Sequence, residues 1–302
     1  MGCRLLVRVY AGEGHSLTHR EKGQTMIDLH LHSDASDGTL KPAEVLRAAK
    51  EKGLYAFALT DHDTVAGIPP ILHSGELTGI HFMPGIELSC EAEKHEIHIL
   101  GYHIDICNQN LLNTLEGLRR GRRQRNLSMI EKFREDGIPM TLEKLLHGNE
   151  QTVITRAHFA RVLIEEGYCA NKEQAFKKYV GDGCRYYIPK PYFAPADAVR
   201  LIKDAGGTAV LAHPFQYHLS NAELEELIRE LISFGLGGIE VYHSSHHHGQ
   251  TVKLRQWCRK YGMLATGGSD FHGSYKPDIE IGTGRGSLKV PDHLYDELKN
   301  LL

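Results

Sequence analysis

The chain has 302 residues, 41% of them hydrophobic and 24% charged, with 35 Lys plus Arg against 38 Asp plus Glu for a formal charge of −3. That composition excludes a disordered chain and a generally polybasic nucleic-acid coat. No apolar run approaches the ~18 residues that a membrane-spanning helix needs. The length suits one large α/β barrel or two modest domains.

Residues 1–25 show no sustained periodicity and are expected to form a disordered N-terminal extension, with Met26 as the natural start. They lack the apolar core of a secretory signal. Strict alternation begins at Met26-Ile27-Asp28-Leu29-His30-Leu31-His32 and predicts a strand. Thr39 to Lys52 predicts a helix, with Thr39 as cap, Pro42 in the first turn and Gly53 as stop. The apolar run Leu54–Thr60 predicts a buried parallel strand. Further strands are expected at 81–84, 96–101, 208–212, 237–242 and 263–267, with helices at 195–205, 221–234 and 249–261. This alternation implies a parallel sheet or barrel. Residues 106–190 break the rhythm, with helices expected at 110–135, 141–147, 155–167 and 172–180. The expected organisation is therefore an extension at 1–25, a barrel's first part at 26–105, an inserted helical subdomain at 106–190 and the barrel's second part at 191–302.

Twenty histidines are an abnormal count, whereas the six cysteines are scattered without a CxxC pair. The cysteine usage argues against a disulfide framework or a thiolate zinc site and fits a reducing cytoplasm. Many of the histidines fall where strands end. His30 and His32 stand two apart in one strand, so both face one way, with Asp28 expected beside them. Asp37 follows in the next loop, and Thr60-Asp61-His62-Asp63 closes the second strand. Glu87 follows the third strand, and His98 lies inside another. His213 ends the strand over 208–211, Glu240 and His243 lie in the next one, and Asp270 and His272 follow the last.

Parallel barrels gather reactive groups at the carboxyl ends of their strands. Mixed imidazole and carboxylate donors favour zinc, manganese or iron. Nine such groups exceed one tetrahedral ion and suffice for two or three. A lone strand histidine is more often structural; the joint pattern outweighs that reading here. Asp61 and Asp63 are expected to orient imidazoles. His15, His19, His73, His81, His147, His218 and His293 lack a supporting pattern. His246-His247-His248 reads as a polar loop, with His246 alone kept as a candidate substrate contact. There is no GxSxG elbow, no GxxxxGK[ST] loop and no HExxH. The expected attacking group is therefore a metal-activated hydroxide.

Asp28-Leu29-His30-Leu31-His32-Ser33, Thr60-Asp61-His62-Asp63, Gly85-Ile86-Glu87, Ala212-His213-Pro214 and Ser269-Asp270-Phe271-His272 together resemble the PHP (polymerase and histidinol phosphatase) superfamily, in order from Met26 to about Gly273. The resemblance implies an α/β fold, a distorted (β/α)7 TIM-like barrel with the small helical subdomain inserted. It also implies three divalent ions per chain, with manganese first and iron or zinc as alternatives. Carried over by motif, their ligands and the catalytic residues are His30, His32, Asp37, His62, Glu87, His98, His213, Asp270 and His272.

The insertion and Thr155-Arg156-Ala157-His158-Phe159-Ala160-Arg161 resemble the bacterial 3′,5′-nucleotide bisphosphate phosphatases and 5′→3′ exoribonucleases. That implies a phosphoesterase removing the 5′ phosphate of a 3′,5′-bisphosphonucleotide, or trimming short 5′-phosphorylated RNA, in the cytoplasm. Phosphoryl transfer independently calls for clustered positive charge. Arg156 and His158 are candidate substrate contacts because Thr155 can cap a helix whose N-terminus favours anions. Arg122 and Arg125, from the dense cluster Arg119–Arg125, are candidates too, against the competing reading of a solvated basic helix. Tyr192 and Phe193 read equally as base-stacking rings or as core. The alternatives are histidinol-phosphate phosphatase and, from another class, a noncatalytic metal- or nucleic-acid-binding PHP module. No membrane association is expected, and no protein partner is inferable.

Overall fold

Parallel strand–helix alternation needs each strand buried on both sides, and the chain delivers it. In the computed structural model, which describes residues 26–92 and 95–301, seven strands form one sheet in chain order: β1 (Ile27–Leu31), β2 (Ala56–Leu59), β3 (His81–Ala92), β4 (His95–Tyr102), β5 (Thr208–Leu211), β6 (Gly238–His243) and β7 (Leu264–Gly268). The expected extension over residues 1–25, with His15 and His19, lies outside the described residues.

The pairs β1–β2, β2–β3, β5–β6 and β6–β7 are parallel. β4 is the exception and runs antiparallel to both β3 and β5. The expected short strand at 81–84 therefore extends to Ala92, because a hairpin partner satisfies its backbone well beyond the point where a parallel strand would end. Glu87 consequently lies inside β3 rather than after it. The first and last strands meet at one rim, where His32 N–H donates to Phe271 O (3.0 Å) and Asp270 N–H donates to His30 O (2.9 Å). The sheet is thus a nearly closed seven-stranded barrel, the distorted (β/α)7 form that the motifs imply.

α1 (Pro42–Glu51) turns Val45, Leu46 and Ala49 into the core, with Pro42 in its first turn. Its cap is Lys41, not Thr39: Lys41 N–H donates to Glu44 Oε2 (2.7 Å). Thr39 Oγ1 instead accepts the Ser274 N–H (3.0 Å). α7 (Pro195–Asp204), α8 (Asn221–Phe234) and α9 (His248–Tyr261) follow β4, β5 and β6 in chain order. Their buried faces join Phe57, Leu59, Ile86, Ile99 and Ile239 in the main apolar cluster. Each fully buried Leu or Ile there contributes about 1.5–3 kcal/mol. Alternate strand positions, among them Ile27, Leu29, Ala56, Ala58, Met83 and Tyr102, form a second cluster with Leu294, Tyr295 and Leu298 of the C-terminal helix α10 (His293–Lys299). Met26 bridges Pro291, so α10 packs at the end where β1 and β2 begin and leaves the opposite rim free for polar groups.

Between β4 and β5 the described elements are mainly helical: α2 (Ile68–Leu72) lies earlier, after β2, while α3 (Gln109–Glu135), α4 (Leu142–Leu146), α5 (Arg156–Glu165) and α6 (Lys172–Ala175), widening into a π turn at 176–180, precede α7. Met129, Phe133, Phe159, Leu163 and Tyr186 centre a third cluster of their own. The 27-residue α3 runs from the barrel side, where Leu111 and Leu115 join the main cluster, to this third one. No helix of the described residues is long and apolar enough to cross a membrane.

Candidate metal centre

The rim opposite α10 collects the donors. The bulge between Asp28 and Leu31 interrupts the register of β1. Asp28 consequently does not join His30 and His32. Its carboxylate accepts backbone N–H groups of His30 (3.3 Å), Ser269 (2.8 Å) and Gly282 (2.7 Å). His30 and His32 do converge: their Nε2 atoms are 3.1 Å apart, and each lies 3.2 Å from Glu87 Oε2. Because β4 is reversed, its N-terminal half lies at this same rim, and Ser89 of β3 pairs with His98. His98 Nδ1 and His213 Nε2 both lie 2.9 Å from Glu87 Oε1. Glu87 thus stands among five other expected ligands: His30, His32, His98, His213 and His62, whose Nδ1 lies 3.3 Å from Oε2.

The remaining donors close the other side. Asp270 Oδ1 lies 3.7 Å from His30 Nε2, 3.5 Å from His32 Nε2 and 3.4 Å from His272 Nδ1. Asp37 Oδ1 lies 3.2 Å from His272 Nε2, 3.8 Å from His32 Nδ1 and 3.9 Å from His62 Nε2. All nine expected residues therefore meet at one rim. Two of them carry uncommon backbone, His213 at φ 24° and Asp270 at φ 59°, and so does Asp63, beside His62, at φ 52°. Such strain persists only where surrounding contacts over-determine it.

The donor set fits divalent ions on several grounds. His32, Asp37, His62 and His272 offer atoms within 4.8 Å of one another, as do His30, His32 and Glu87, and His62, Glu87 and His98. His32 Nδ1, Asp37 Oδ1 and His213 Nδ1 are buried with no hydrogen-bond partner, which a protein rarely tolerates. Outer contacts also commit the ring protons. His30 Nδ1 donates to Glu240 Oε1 (2.8 Å) and His272 Nδ1 to the Asp270 carbonyl (2.9 Å), leaving both Nε2 lone pairs inward. This outward hydrogen bond is the usual support of a metal-ligating imidazole.

The electrostatics agree. Burial works to raise the Glu87 carboxyl, but His62, His30 and His98 outweigh it and hold the group well below the usual carboxylate range. Burial likewise opposes ionisation of Asp37, and His62 and His272 hold it well below its ordinary value. Burial pushes His62 down to about 4 and, with Lys276 nearby, His272 down to about 3. These rings are neutral donors at neutral pH.

The outer wall is cationic. A cavity of about 310 Å³ opens beside Asp37, His62, His98 and His272 and is lined by Arg122, Arg125, Arg156, Lys172, Lys190 and Lys276. Arg122 and Arg125 are 7% and 6% exposed, whereas Arg120 and Arg123 face solvent. Of the cluster Arg119–Arg125, α3 thus turns Arg122 and Arg125, three residues apart, toward the cavity. Arg122 pairs with Asp63 and Arg156 with Glu96, which also accepts from Lys190 Nζ (2.7 Å). Arg125 has no carboxylate: its Nη1 contacts Met129 Sδ at 3.1 Å, and its Nε is buried without a partner.

Other expected contacts lie elsewhere. His158 Nδ1 accepts the Thr155 N–H (3.0 Å) in a capping box, and the ring does not line the cavity. His246 does not line it either; its Nδ1 donates to Val241 O (3.1 Å). His247 caps α9 through Gln250, as a polar loop residue would. Asp61 and Asp63 spend their oxygens on Ser33 and Ser36, and on Ser89 and Arg122, rather than on imidazoles. Tyr192 is 70% exposed, while Phe193 packs partly buried against the core.

Sequence reasoning did not assign roles to Glu240, His243, Glu96 or Lys276. Glu240 and His243 sit at a strand end like the assigned ligands, which is the signal that could have found them. Ser245 N–H donates to His243 Nδ1 (3.1 Å), while His243 Nε2 is buried without a hydrogen-bond partner, 3.3 Å from Asp270 Oδ2, where with His30 and Asp270 it could hold an ion. Lys276 Nζ, 2.5 Å from Asp270 Oδ2, donates to that carboxylate. Lys276 stands in a stretch with no distinguishing pattern, whereas Glu96 shares the alternation of the strand that carries His98, two residues on.

The comparisons with known proteins agree with this geometry. Residues 28–193 match the PHP domain family. The chain is 35% identical over 257 residues to the 5′-3′ exoribonuclease Rnm of Escherichia coli (strain K12), covering 84% of this chain and 87% of that protein. It is 34% identical over 257 residues to a 3′,5′-nucleoside bisphosphate phosphatase of Chromobacterium violaceum, covering 85% and 90%. A solved structure from Bifidobacterium adolescentis, described as a candidate metal-dependent phosphoesterase, superposes with a TM-score of 0.81 at 30% identity, covering 92% of this chain and 96% of that one. With the motifs, the barrel and these likenesses in agreement, the chain belongs to the PHP domain family.

Proposed function

We propose that this protein is a metal-dependent phosphoesterase that removes the 5′ phosphate of 3′,5′-bisphosphonucleotides and trims short 5′-phosphorylated RNA from its 5′ end, in the cytoplasm. The observation that carries the reading is the juxtaposition of eight buried His, Asp and Glu side chains and the half-buried His98 with a cavity walled by arginine and lysine. The likeness to a bisphosphate phosphatase and to exoribonucleases supports the nucleotide class.

His30, His32, Asp37, His62, Glu87, His98, His213, Asp270 and His272 would hold the ions, three in number and manganese first, with iron or zinc as alternatives. Bound there, divalent ions would supply Lewis acidity toward phosphoryl oxygens and lower the pKa of a water. The chain's own groups bind and orient. Arg125, buried and without a carboxylate, offers its guanidinium to a second phosphate. Arg156 and Lys190 flank Glu96, so an entering phosphate competes with that carboxylate for both cations. The insertion at 106–190, between barrel parts at 26–105 and 191–302, contributes Arg122, Arg125, Arg156, Lys172 and Lys190 to this wall. His158 acts by capping α5, and His246 is left without a substrate contact.

The test is manganese-dependent phosphate release from 3′-phosphoadenosine 5′-phosphate beside histidinol phosphate and a short 5′-phosphorylated RNA. The reading expects turnover of the nucleotide and RNA, lost in His30→Ala and Asp270→Ala. Preferential turnover of histidinol phosphate, or full activity in both variants, would overturn it.

A further inference from the structure

Asp37 sits in a loop that the barrel alone does not hold. Four hydrogen bonds reach it from the insertion. Asn149 Nδ2 donates to Asp34 O (2.7 Å), Val153 N–H to Ala35 O (3.0 Å), Thr152 Oγ1 to Ser36 O (2.5 Å) and Thr155 Oγ1 to Asp37 Oδ2 (3.0 Å). The last is directional. Thr155 Oγ1 accepts the Ala157 N–H at the start of α5 (3.2 Å), and the carboxylate has no proton to give, so the single hydroxyl proton goes to Asp37. With Oδ2 engaged, Oδ1 is left buried without a partner and turned to His32, His62 and His272.

We propose that Thr155 is a positioning residue that selects which oxygen of Asp37 faces the metal cluster, so that the helical insertion sets the affinity of the barrel's metal site. Because Thr155 also caps the helix that begins with Arg156, the wall that receives the substrate anion and the Asp37 end of the cluster share one side chain. This inference rests on the metal-binding reading above and adds a determinant outside the nine ligands.

The test is manganese titration of chelator-stripped protein, without substrate, followed calorimetrically. Thr155→Val, of nearly the same shape, is expected to weaken one class of sites by about 10–100-fold, the usual effect of removing a partner of a ligand. Thr155→Ser restores the affinity. Thr155→Gly, which keeps a tolerable helix cap, loses it like valine and carries the test should the valine variant not fold. In an Asp37→Ala background, Thr155→Val adds no further loss. Wild-type affinity in the valine or glycine variant, or an equal further loss without Asp37, would overturn the inference alone. Failure of the wild-type chain to bind manganese would overturn the metal reading and this inference with it.

Discussion

Asp61 is 2% exposed and does not line the cavity. Its oxygens accept from Ser33 N–H (2.7 Å), Ser33 Oγ (2.6 Å) and Ser36 Oγ (2.6 Å), stapling the turn between β1 and Asp37 to the end of β2. Replacement by alanine strands three buried donors at about 1–3 kcal/mol each. Water entering the space left behind relieves part of this, so Asp61→Ala is expected to cost about 3–5 kcal/mol. Burial, the largest influence on this carboxyl, raises it above the ordinary carboxylate value. Asp61→Asn removes a charge that folding disfavours while keeping one oxygen, and should cost only about 1–2 kcal/mol. Urea unfolding in excess chelator measures both without metal, and manganese titration then reports whether Asp37 is still held. A loss below 1 kcal/mol in the alanine variant, or asparagine as damaging as alanine, would refute the reasoning.

Arg125→Ala removes the cavity-wall guanidinium that, among the described residues, lacks a carboxylate. It should raise KM for a 3′,5′-bisphosphonucleotide by about 10–100-fold, the equivalent of one charged hydrogen-bonded contact, and leave a 5′-monophosphate nearly unaffected in steady-state assays. In the metal-free protein, burial opposes protonation of His32, but Asp270 and Glu87 raise it to about 9; at His98 the same opposition is outweighed by Glu87, again to about 9. Both start from 6.5, so their protonated forms stabilise the metal-free fold fully below about pH 6.5, and that contribution is lost as pH rises through about 9. Thermal melts in chelator should therefore fall from pH 6.5 to 9, while manganese affinity rises over the same window with proton release, visible as buffer-dependent heats. Gly268→Ala would place a methyl 2.4 Å from His30 N and Cβ. Because backbone cannot yield, about 3 kcal/mol of stability should be lost by urea midpoint.

Much of this was readable because each signal is local. The run Leu54–Thr60 is short and apolar, as a strand buried on both faces requires, and its centre Ala56–Leu59 is one; Ser220 with Glu223 caps α8 where the pattern begins. Histidines at strand ends announce the rim because barrel geometry brings those ends together whatever the loops do. Direction was not readable: the two-residue period of Glu96–Gly101 is the same for either sense, so the reversal of β4 had no signature. Helix rotation escaped for a similar reason. Seven residues with five arginines define no apolar stripe, and only the packing of Asn126, Met129 and Phe133 turns Arg122 and Arg125 inward. Thr155 was legible as a cap but not as a partner of Asp37, since 118 residues separate them.

The meeting of the first strand with the last has a mechanical corollary. Few backbone bonds stitch that seam, yet His30 and His32 stand on one lip and Asp270 and His272 on the other. An ion held by ligands of both lips would work as a clasp on a hoop, joining the two chain-distant margins more firmly than their own amides do. Stripping it should let deuterium into the amides of Asp270 and His32 before any other part of the hoop slackens.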